Sequence, residues 1–226
     1  MINQFFLTAI ILVAIVLVLA FTELMYRRLE LPSEITRKFA HFTATLTTLI
    51  LPYIFNSHWY ILVLALFFFL ILFFSKQGTQ LNSIHKIDRK SVGGYLLPVA
   101  IYCTFLISYL LKNKFLYILP ILILGICDPM AGILGMNLKR NNRQICIFGH
   151  TLQKTLLGSV SFFITCFLIS VIALYIYLGV FHMKTFWLAL LVAVVTTLTE
   201  MFSKKGWDNL LIPLNAQLIL ILILIL

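Results

Sequence analysis

Charged side chains are scarce in this sequence. Only 11% of its 226 residues are Asp, Glu, Lys or Arg, whereas 62% are hydrophobic, and the mean hydropathy is +1.07. These values lie outside the composition of water-soluble domains, so a soluble protein is excluded. The sequence also lacks a polar stretch long enough to fold separately, and we therefore expect one membrane-embedded domain over residues 1–226.

Paired cysteines and an extended basic face are absent as well. The lack of paired cysteine spacing argues against a disulfide framework or a zinc site. The four cysteines are Cys103, Cys127, Cys146 and Cys166. The net charge is +10, but the basic residues fill short gaps between apolar runs, so no nucleic acid partner is expected. The first apolar run has neither a basic leader nor a small-residue cleavage site, which predicts a retained helix and not a signal peptide.

The sequence is rich in apolar runs of membrane-spanning length. Roughly 20 apolar residues cross a bilayer as a helix. The predicted spans are 4–24, 38–55, 58–75, 92–111, 115–137, 155–178, 185–202 and 209–226. The alternating Leu and Ile of 218–226 would suit a strand, but a lone strand leaves its backbone unsatisfied in lipid. We therefore expect an all-α polytopic bundle of about eight helices, surrounded by the lipid bilayer.

The basic residues are distributed unevenly between the connections. We number the connections between the predicted spans along the chain. Of the 17 Lys and Arg residues, all but Lys112, Lys114 and Lys184 lie in the odd-numbered connections. The positive-inside rule assigns such connections to the cytoplasm. This predicts that both termini are non-cytoplasmic and that none of the seven acidic residues lies on the outer side.

Polar residues at the predicted cytoplasmic ends form four clusters, of which the first follows Arg37. Arg37, His41, Thr45 and Thr48 recur on one helical face, with Lys38 beside them. Basic residues that anchor a helix at the interface would explain Arg37 and Lys38, but not the His and Thr stripe. A phosphate-binding edge is the functional interpretation, because a guanidinium offers a fork and an ammonium a point charge to phosphate oxygens.

The second cluster opens the predicted fourth helix with Arg89, Ser91, Gly93 and Gly94. Ser91 can cap the helix, and the glycines let a ligand or a neighbouring helix approach the backbone closely. A plain helix start is the alternative interpretation.

The third cluster contains Asp128 and Lys154. A carboxylate within an apolar span costs at least ~2.5 kcal/mol on insertion scales, so it normally faces a partner or a watery cavity. Asp128 is therefore a candidate site residue. Ala131 and Gly135 follow it with a spacing that suits either a ligand-binding turn or ordinary close helix packing. Lys154 and Gly158 are predicted to share one helical face.

The fourth cluster is Glu200 with Asp208 and its neighbour Asn209. Asp208 has a structural alternative as the N-cap of the last helix. Glu200, Asp208 and Asp128 provide three carboxylates that suit Mg²⁺. The basic residues of the first and third clusters could neutralise a transferring phosphoryl group. The sequence therefore predicts phosphoryl transfer with a divalent cation at one end of the bundle.

At these residues the sequence resembles the family of dolichol kinases, phytol kinases and yeast-type CTP-dependent diacylglycerol kinases. The matching pieces cover most of the chain after about residue 20 and fall in the family's order. They are Arg37-Lys38-x-x-His41, Arg89-x-Ser91-x-Gly93, Asp128-x-x-Ala131-x-x-x-Gly135, Lys154-Thr155-x-x-Gly158-Ser159, and Glu200 with Asp208-Asn209-x-x-x-Pro213. One departure follows Gly135. The family usually has a second glycine and a basic residue there, whereas this sequence keeps only the basic part, in Met136-Asn137-Leu138-Lys139-Arg140.

The resemblance implies transfer of the γ-phosphate of CTP to a primary hydroxyl of a membrane lipid, which gives CDP and a lipid monophosphate. It also implies that Arg37, Lys38, Asp128 and Gly135 are functional. The working hypothesis assigns Mg²⁺ to carboxylates among Asp128, Glu200 and Asp208. The phosphates would bind Arg37, Lys38 and Lys154.

The roles within this set stay open. Any of the three carboxylates is a possible base or metal ligand, and His41 is favoured as a hydrogen-bonding partner over a proton acceptor. The lipid alcohol could be a polyprenol or dolichol, phytol or diacylglycerol. Two other functions compete: a phosphatidate cytidylyltransferase, which also uses CTP but releases pyrophosphate, and a transport or lipid-binding protein.

Overall fold

The structure, a computed structural model, describes residues 3–77, 81–85, 91–137, 144–147 and 150–225. Its helices are α1 Gln4–Leu29, α2 Ser33–Thr48, α3 Leu51–Ile54, α4 His58–Gln77, α5 Asn82–His85, α6 Gly93–Leu110, α7 Phe115–Leu122, α8 Asp128–Asn137, α9 Leu156–Leu178, α10 Met183–Phe202 and α11 Asp208–Leu224. A π-helical turn, Ile123–Cys127, joins α7 to α8. The predicted all-α helical bundle is confirmed.

Among the residues that the structure describes, six helical segments are long and apolar enough to cross a membrane. They are Gln4–Leu29, His58–Lys76, Gly93–Leu110, Phe115–Met136, Leu156–Leu178 and Met183–Phe202. Each corresponds to one of the predicted spans, and α7, the π turn and α8 together form the fourth of them. The outward side chains of these helices are apolar: Leu17, Leu66 and Ile172, for example, are more than half exposed. Such a surface is suited to a lipid solvent.

The two remaining predicted spans differ from the structure. The segment 209–226 corresponds to α11, which is apolar but has only 17 residues. The prediction of one helix over 38–55 is wrong, because α2 begins at Ser33 and ends at Thr48, and the short α3 follows. Pro52 lies in the first turn of α3, where its missing N–H is not needed. A proline there starts a new helix more easily than it continues an old one.

A two-stranded antiparallel hairpin precedes α9 and was not predicted. Strand β1 (Gln144–Ile147) pairs with β2 (His150–Thr155), with Gln144 opposite Thr155 and Ile147 opposite His150. Lys154 therefore lies on a strand, and the predicted helical face shared by Lys154 and Gly158 is wrong. The hairpin brings Lys154 directly to the start of α9.

The segment α7–α8 is the central helix of the bundle. Leu116, Leu119, Ile123 and Leu124 are all fully buried. Its α7 and π-helical residues pack against α2 and α6 on one side and against α9 and α11 on the other. Burial on every side explains why this segment carries Asp128 into the interior of the protein instead of to its surface.

Candidate active site

Asp128 is held in the interior by Lys38. The carboxyl group is at the first residue of α8, directly after the π turn, and both side chains are more than nine-tenths buried. The Lys38 ammonium nitrogen lies 2.5 Å from Asp128 Oδ2 and 3.2 Å from the Asp128 backbone oxygen. Because an unpaired charge is very costly in such surroundings, the two groups stabilise each other's ionised form.

Gly132 provides the space for the Lys38 side chain. A β-carbon at Gly132 would lie 2.6 Å from Lys38 Cε and 3.1 Å from its ammonium nitrogen. Any larger residue at this position would therefore displace the end of the lysine side chain. Sequence reasoning assigned no role to Gly132, since one glycine within a helix carries no signal until its neighbour is known.

His41 binds the backbone of the π turn. Its Nε2 lies 3.2 Å from the Leu124 backbone oxygen and 3.9 Å from Asp128 Oδ2, so only the first distance is that of a hydrogen bond. Thr45 follows one turn later and packs against Gly125, where a β-carbon would approach Thr45 Oγ1 to 2.5 Å. The predicted polar face of α2 thus contacts the central helix, and His41 acts in the structure as a hydrogen-bonding partner.

A second lysine, whose side chain is 16% exposed, is bound between two carboxylates. Lys154 Nζ lies 2.7 Å from Glu200 Oε1, at the end of α10, and 2.7 Å from Asp208 Oδ2, at the start of α11. Ser159 of α9 donates a hydrogen bond of 3.2 Å to the other oxygen of Glu200. Burial alone would lower the pKa of Lys154, but the carboxylates of Asp208, Glu200 and Asp128 raise it above its usual value. Lys154 therefore stays charged at neutral pH.

The α8–α9 contact is made of small residues. A β-carbon at Gly158 would lie 3.1 Å from the Ala131 backbone oxygen and 3.7 Å from Gly135 Cα. Thr155 is the N-cap of α9, and its hydroxyl accepts a hydrogen bond of 3.2 Å from the Gly158 N–H. Ala131 and Gly135 therefore pack two helices closely, and both also line a cavity.

That cavity, of about 250 Å³, brings the two lysines together. Its lining combines charged side chains with glycines. The residues are Glu34, Lys38, Asp128, Ala131, Gly132, Gly135, Met136, Lys154, Thr155, Gly158 and Glu200. We call it the charged cavity. Seven of the predicted site residues line it, although they come from five different elements of the chain.

Other predicted site residues lie outside this lining. The Arg37 guanidinium donates two hydrogen bonds to Glu34 Oε2, at 2.7 and 3.2 Å, and Glu34 itself lines the charged cavity. Asp208 is connected to the cavity through Lys154. Sequence reasoning missed Glu34, although its position three residues before Arg37 is a recognisable signal for an ion pair on a helix.

The second cluster forms a separate contact between α6 and α11. Asn209 Nδ2 donates a hydrogen bond of 2.7 Å to the Gly93 backbone oxygen. Gly206 has a φ of 93°, and a β-carbon there would lie 2.4 Å from the Gly93 nitrogen. Ser91 does not occupy the N-cap, which is Val92, but its hydroxyl accepts a hydrogen bond from the Gly93 N–H. These residues fix the start of α6.

Two further predictions have definite outcomes. Asp208 is the first residue of α11, and Trp207 is the N-cap, so the alternative role of Asp208 as a cap is wrong. Its Oδ1 accepts a hydrogen bond of 3.1 Å from the Asn209 N–H, while Oδ2 binds Lys154. Arg89 lies outside the described residues.

The carboxylates do not form a ready-made metal cage. Within the part of the chain that the structure describes, no group of three or more His, Cys, Asp or Glu side chains is arranged to hold a metal ion. Asp128 is bound by Lys38, and Glu200 and Asp208 share Lys154. Mg²⁺ commonly binds through only one or two carboxylates together with substrate phosphates. Asp128 and Glu200 line one cavity and fit that mode.

Comparison with known proteins gives one relative along most of the chain. The chain is 28% identical over 197 residues to a phytol kinase from Synechocystis sp. (strain ATCC 27184 / PCC 6803 / Kazusa), a match that covers 87% of this chain and 82% of that protein. No family model and no solved structure matches the chain. The match agrees with the resemblance that the sequence motifs indicate.

Proposed function

Because the chain resembles phytol kinase along most of its length, we propose that it is a lipid-alcohol kinase. It transfers the γ-phosphate of CTP to the hydroxyl of a membrane lipid such as a polyprenol or dolichol, phytol or diacylglycerol. The products are CDP and a lipid monophosphate. The observation that carries the proposal is the charged cavity, in which Lys38 and Lys154 meet two buried carboxylates within a membrane protein.

The two lysines are the phosphate-binding groups of this proposal. Lys38 and Lys154 each contact a carboxylate in the structure, so each side-chain nitrogen is fixed in position. A polyphosphate that enters the cavity offers oxygens of the same kind as those carboxylates and can take over part of their contacts. Arg37 lies one residue from Lys38 and would add its planar fork once Glu34 releases it.

Asp128 and Glu200, with Asp208 beside them, are the residues that would hold Mg²⁺. The ion, when bound, neutralises charge on the phosphates of the nucleotide. The glycines that line the cavity have no side chain, so that phosphates can approach the backbone closely. The hydrogen bond of His41 fixes the position of the π turn, and therefore of Asp128, relative to α2.

The transfer itself requires few protein groups. The lipid hydroxyl oxygen forms a bond to the γ-phosphorus, and the bond from that phosphorus to the bridging oxygen of CDP breaks. The hydroxyl proton passes to a carboxylate of the charged cavity. The protein contributes position and charge, which supply most of the acceleration in phosphoryl transfer.

The experiment that tests this function uses the purified protein with CTP labelled in the γ-phosphate and a panel of lipid alcohols. We expect label in a lipid monophosphate and equimolar CDP. Pyrophosphate and a CDP-lipid would instead identify a cytidylyltransferase. Absence of any nucleotide turnover with every lipid would favour a transport or lipid-binding protein.

We also propose that the charged cavity opens at the cytoplasmic face. The distribution of basic residues supports this orientation. Cys146 of β1 lies in the same basic connection as Lys154, between the predicted spans 115–137 and 155–178. It should therefore react with an impermeant thiol reagent only after the cytoplasmic face is opened. A variant that retains Cys146 as its sole cysteine makes the assignment unambiguous. Labelling from outside intact cells would reverse the orientation of the whole site.

A further inference from the structure

A second cavity lies at the opposite end of the bundle. Helices α9 and α11 both begin beside the charged cavity, at Leu156 and Asp208, and both end at the second cavity. Its volume is about 880 Å³. The lining residues are Tyr53, Leu111, Lys112, Asn113, Lys114, Phe115, Ile118, Leu122, Ala173, Ile176, Tyr177, Leu224 and Ile225. We call it the distal cavity.

The inner part of the distal cavity is an apolar slot between three helices. Ile118 and Leu122 come from α7, Ala173 and Ile176 from α9, and Leu224 from the end of α11. Ile176 is 74% exposed, so the slot opens towards the side of the bundle and not only towards its end. A slot of this kind accepts a hydrocarbon chain from the bilayer.

The rim of the distal cavity is polar and held in place by aromatic rings. Lys114 Nζ lies 4.6 Å from the centre of the Tyr53 ring, a cation–π contact. Tyr177 stacks on Phe115 with ring centres 4.1 Å apart, and its hydroxyl accepts a hydrogen bond of 3.0 Å from Asn113 Nδ2. Lys112 has a φ of 51°, a left-handed conformation that lysine seldom adopts. The rim is therefore an ordered structure that includes two lysines.

The positive charge of this rim is not balanced by a side-chain carboxylate. None of the residues that line the distal cavity is acidic. In the described ranges, neither Lys112 nor Lys114 forms an ion pair. The acidic residues of the sequence are Glu23, Glu30, Glu34, Asp88, Asp128, Glu200 and Asp208. None of them belongs to α7, α9 or to the end of α11, so no acidic side chain of these elements balances the two lysines.

We infer that the distal cavity binds an anionic phospholipid, with the phosphate against Lys112 and Lys114 and one acyl chain in the apolar slot. The combination of two unbalanced ammonium groups above a hydrocarbon-lined slot matches that chemistry and no soluble anion. This ligand differs from the proposed substrate, whose hydroxyl must reach the charged cavity at the other end of the bundle. The site therefore stands whether or not the proposed kinase activity does.

The test compares lipid binding in the full chain and its variants, purified in a neutral detergent. Binding of phosphatidylglycerol and of phosphatidylcholine, with identical acyl chains, is measured by native mass spectrometry and by the shift in melting temperature. We expect retention of one phosphatidylglycerol and a higher melting temperature with it than with phosphatidylcholine. The double substitution Lys112→Gln with Lys114→Gln should weaken this binding about tenfold or more. Lys184→Gln, which removes a basic residue near the start of α10 that does not line the cavity, is the matched control and should bind as the unmodified protein does.

A second variant tests the slot independently of charge. Ala173→Phe fills the slot and leaves both lysines in place, so it should also lose phosphatidylglycerol. Equal binding by Ala173→Phe and the unmodified protein would mean that only surface charge attracts the lipid, and it would overturn the site. Equal affinity for glycerol phosphate, which has no acyl chain, would overturn it too, as would undiminished binding by the double lysine variant.

Discussion

The Lys38 ammonium nitrogen lies 2.5 Å from a carboxylate oxygen of Asp128, although 90 residues separate the two in the chain. Lys38 is on α2, a helix of mixed polarity, and Asp128 is on the central helix. Each charge is buried and each would be very costly alone. The pair therefore contributes to the stability of the bundle as well as to the charged cavity. A variant of either residue should change both stability and activity.

Asp128→Asn should abolish CTP turnover, because the amide keeps the shape of the side chain but not its charge. The sequence alone predicts an undisturbed fold for this variant. The ion pair changes that expectation: Lys38 would lose its buried partner, and the free energy of unfolding should fall by about 3 kcal/mol. Melting temperature and turnover measured on one preparation check both effects.

The double variant Lys38→Gln with Asp128→Asn separates the two roles. It removes both charges together, so most of the lost stability should return while turnover stays absent. Retained turnover in the single Asn variant would remove Asp128 from the catalytic set. Unchanged stability in that variant would show that Lys38 finds another partner.

Gly132→Ala should misplace Lys38 without removing any charge. The new methyl carbon would lie 2.6 Å from Lys38 Cε, which is too close, so the lysine must shift; a displacement of about 1 Å can cost up to ~100-fold in rate. We expect kcat/KM for CTP to fall at least tenfold. Gly94→Ala is the control, since a β-carbon there meets only Leu72 Cδ1 at 3.8 Å, an ordinary contact. Similar kinetics in both variants would show that Lys38 tolerates the shift.

Arg37→Lys should reduce activity while insertion in the membrane stays normal. The substitution keeps the charge but loses the planar fork that now holds Glu34. Glu34→Gln is its companion: it releases the guanidinium from its carboxylate, so KM for CTP should fall or stay level instead of rising. If both substitutions leave the kinetics unchanged, Arg37 is only an interfacial anchor.

Lys154→Gln should destabilise the protein at every pH between about 6 and 9 by a constant amount. The raised pKa means that Lys154 stabilises the fold fully below its unfolded value of about 10.4 and loses that effect only as the pH rises through the folded value. The difference in unfolding free energy between the two proteins should therefore shrink only in strongly alkaline solution. A difference that already disappears near pH 8 would show that Glu200 and Asp208 do not hold the lysine in its charged form.

Much of the architecture follows from local properties of the sequence. Apolar runs of sufficient length must become helices in lipid, because the backbone has no other way to satisfy its hydrogen bonds there. For the same reason, six of the predicted spans have counterparts of membrane-spanning length in the described part of the chain. The cost of a charge within such a run marked Asp128 as a site residue before any neighbour was known.

The sequence pattern predicts helix boundaries less well where polar and apolar residues alternate irregularly. The segment 38–55 was predicted as one span, whereas α2 ends at Thr48 and a new helix follows. The hairpin that carries Lys154 lies in a polar connection without a membrane-length pattern. The first difference follows from Pro52, which favours the start of a new helix, whereas the hairpin packs against α9 and α10.

The sequence by itself determined a helical membrane bundle and the residue types of a phosphate-binding site. Only the tertiary structure decided which distant charges meet: Lys38 with Asp128, and Lys154 with Glu200 and Asp208. It also revealed that Gly132 accommodates a lysine and that Asn209 fixes the start of α6. The physical reason is that helix formation in lipid is governed by neighbouring residues, whereas pairing of buried charges depends on distances between segments far apart in the chain.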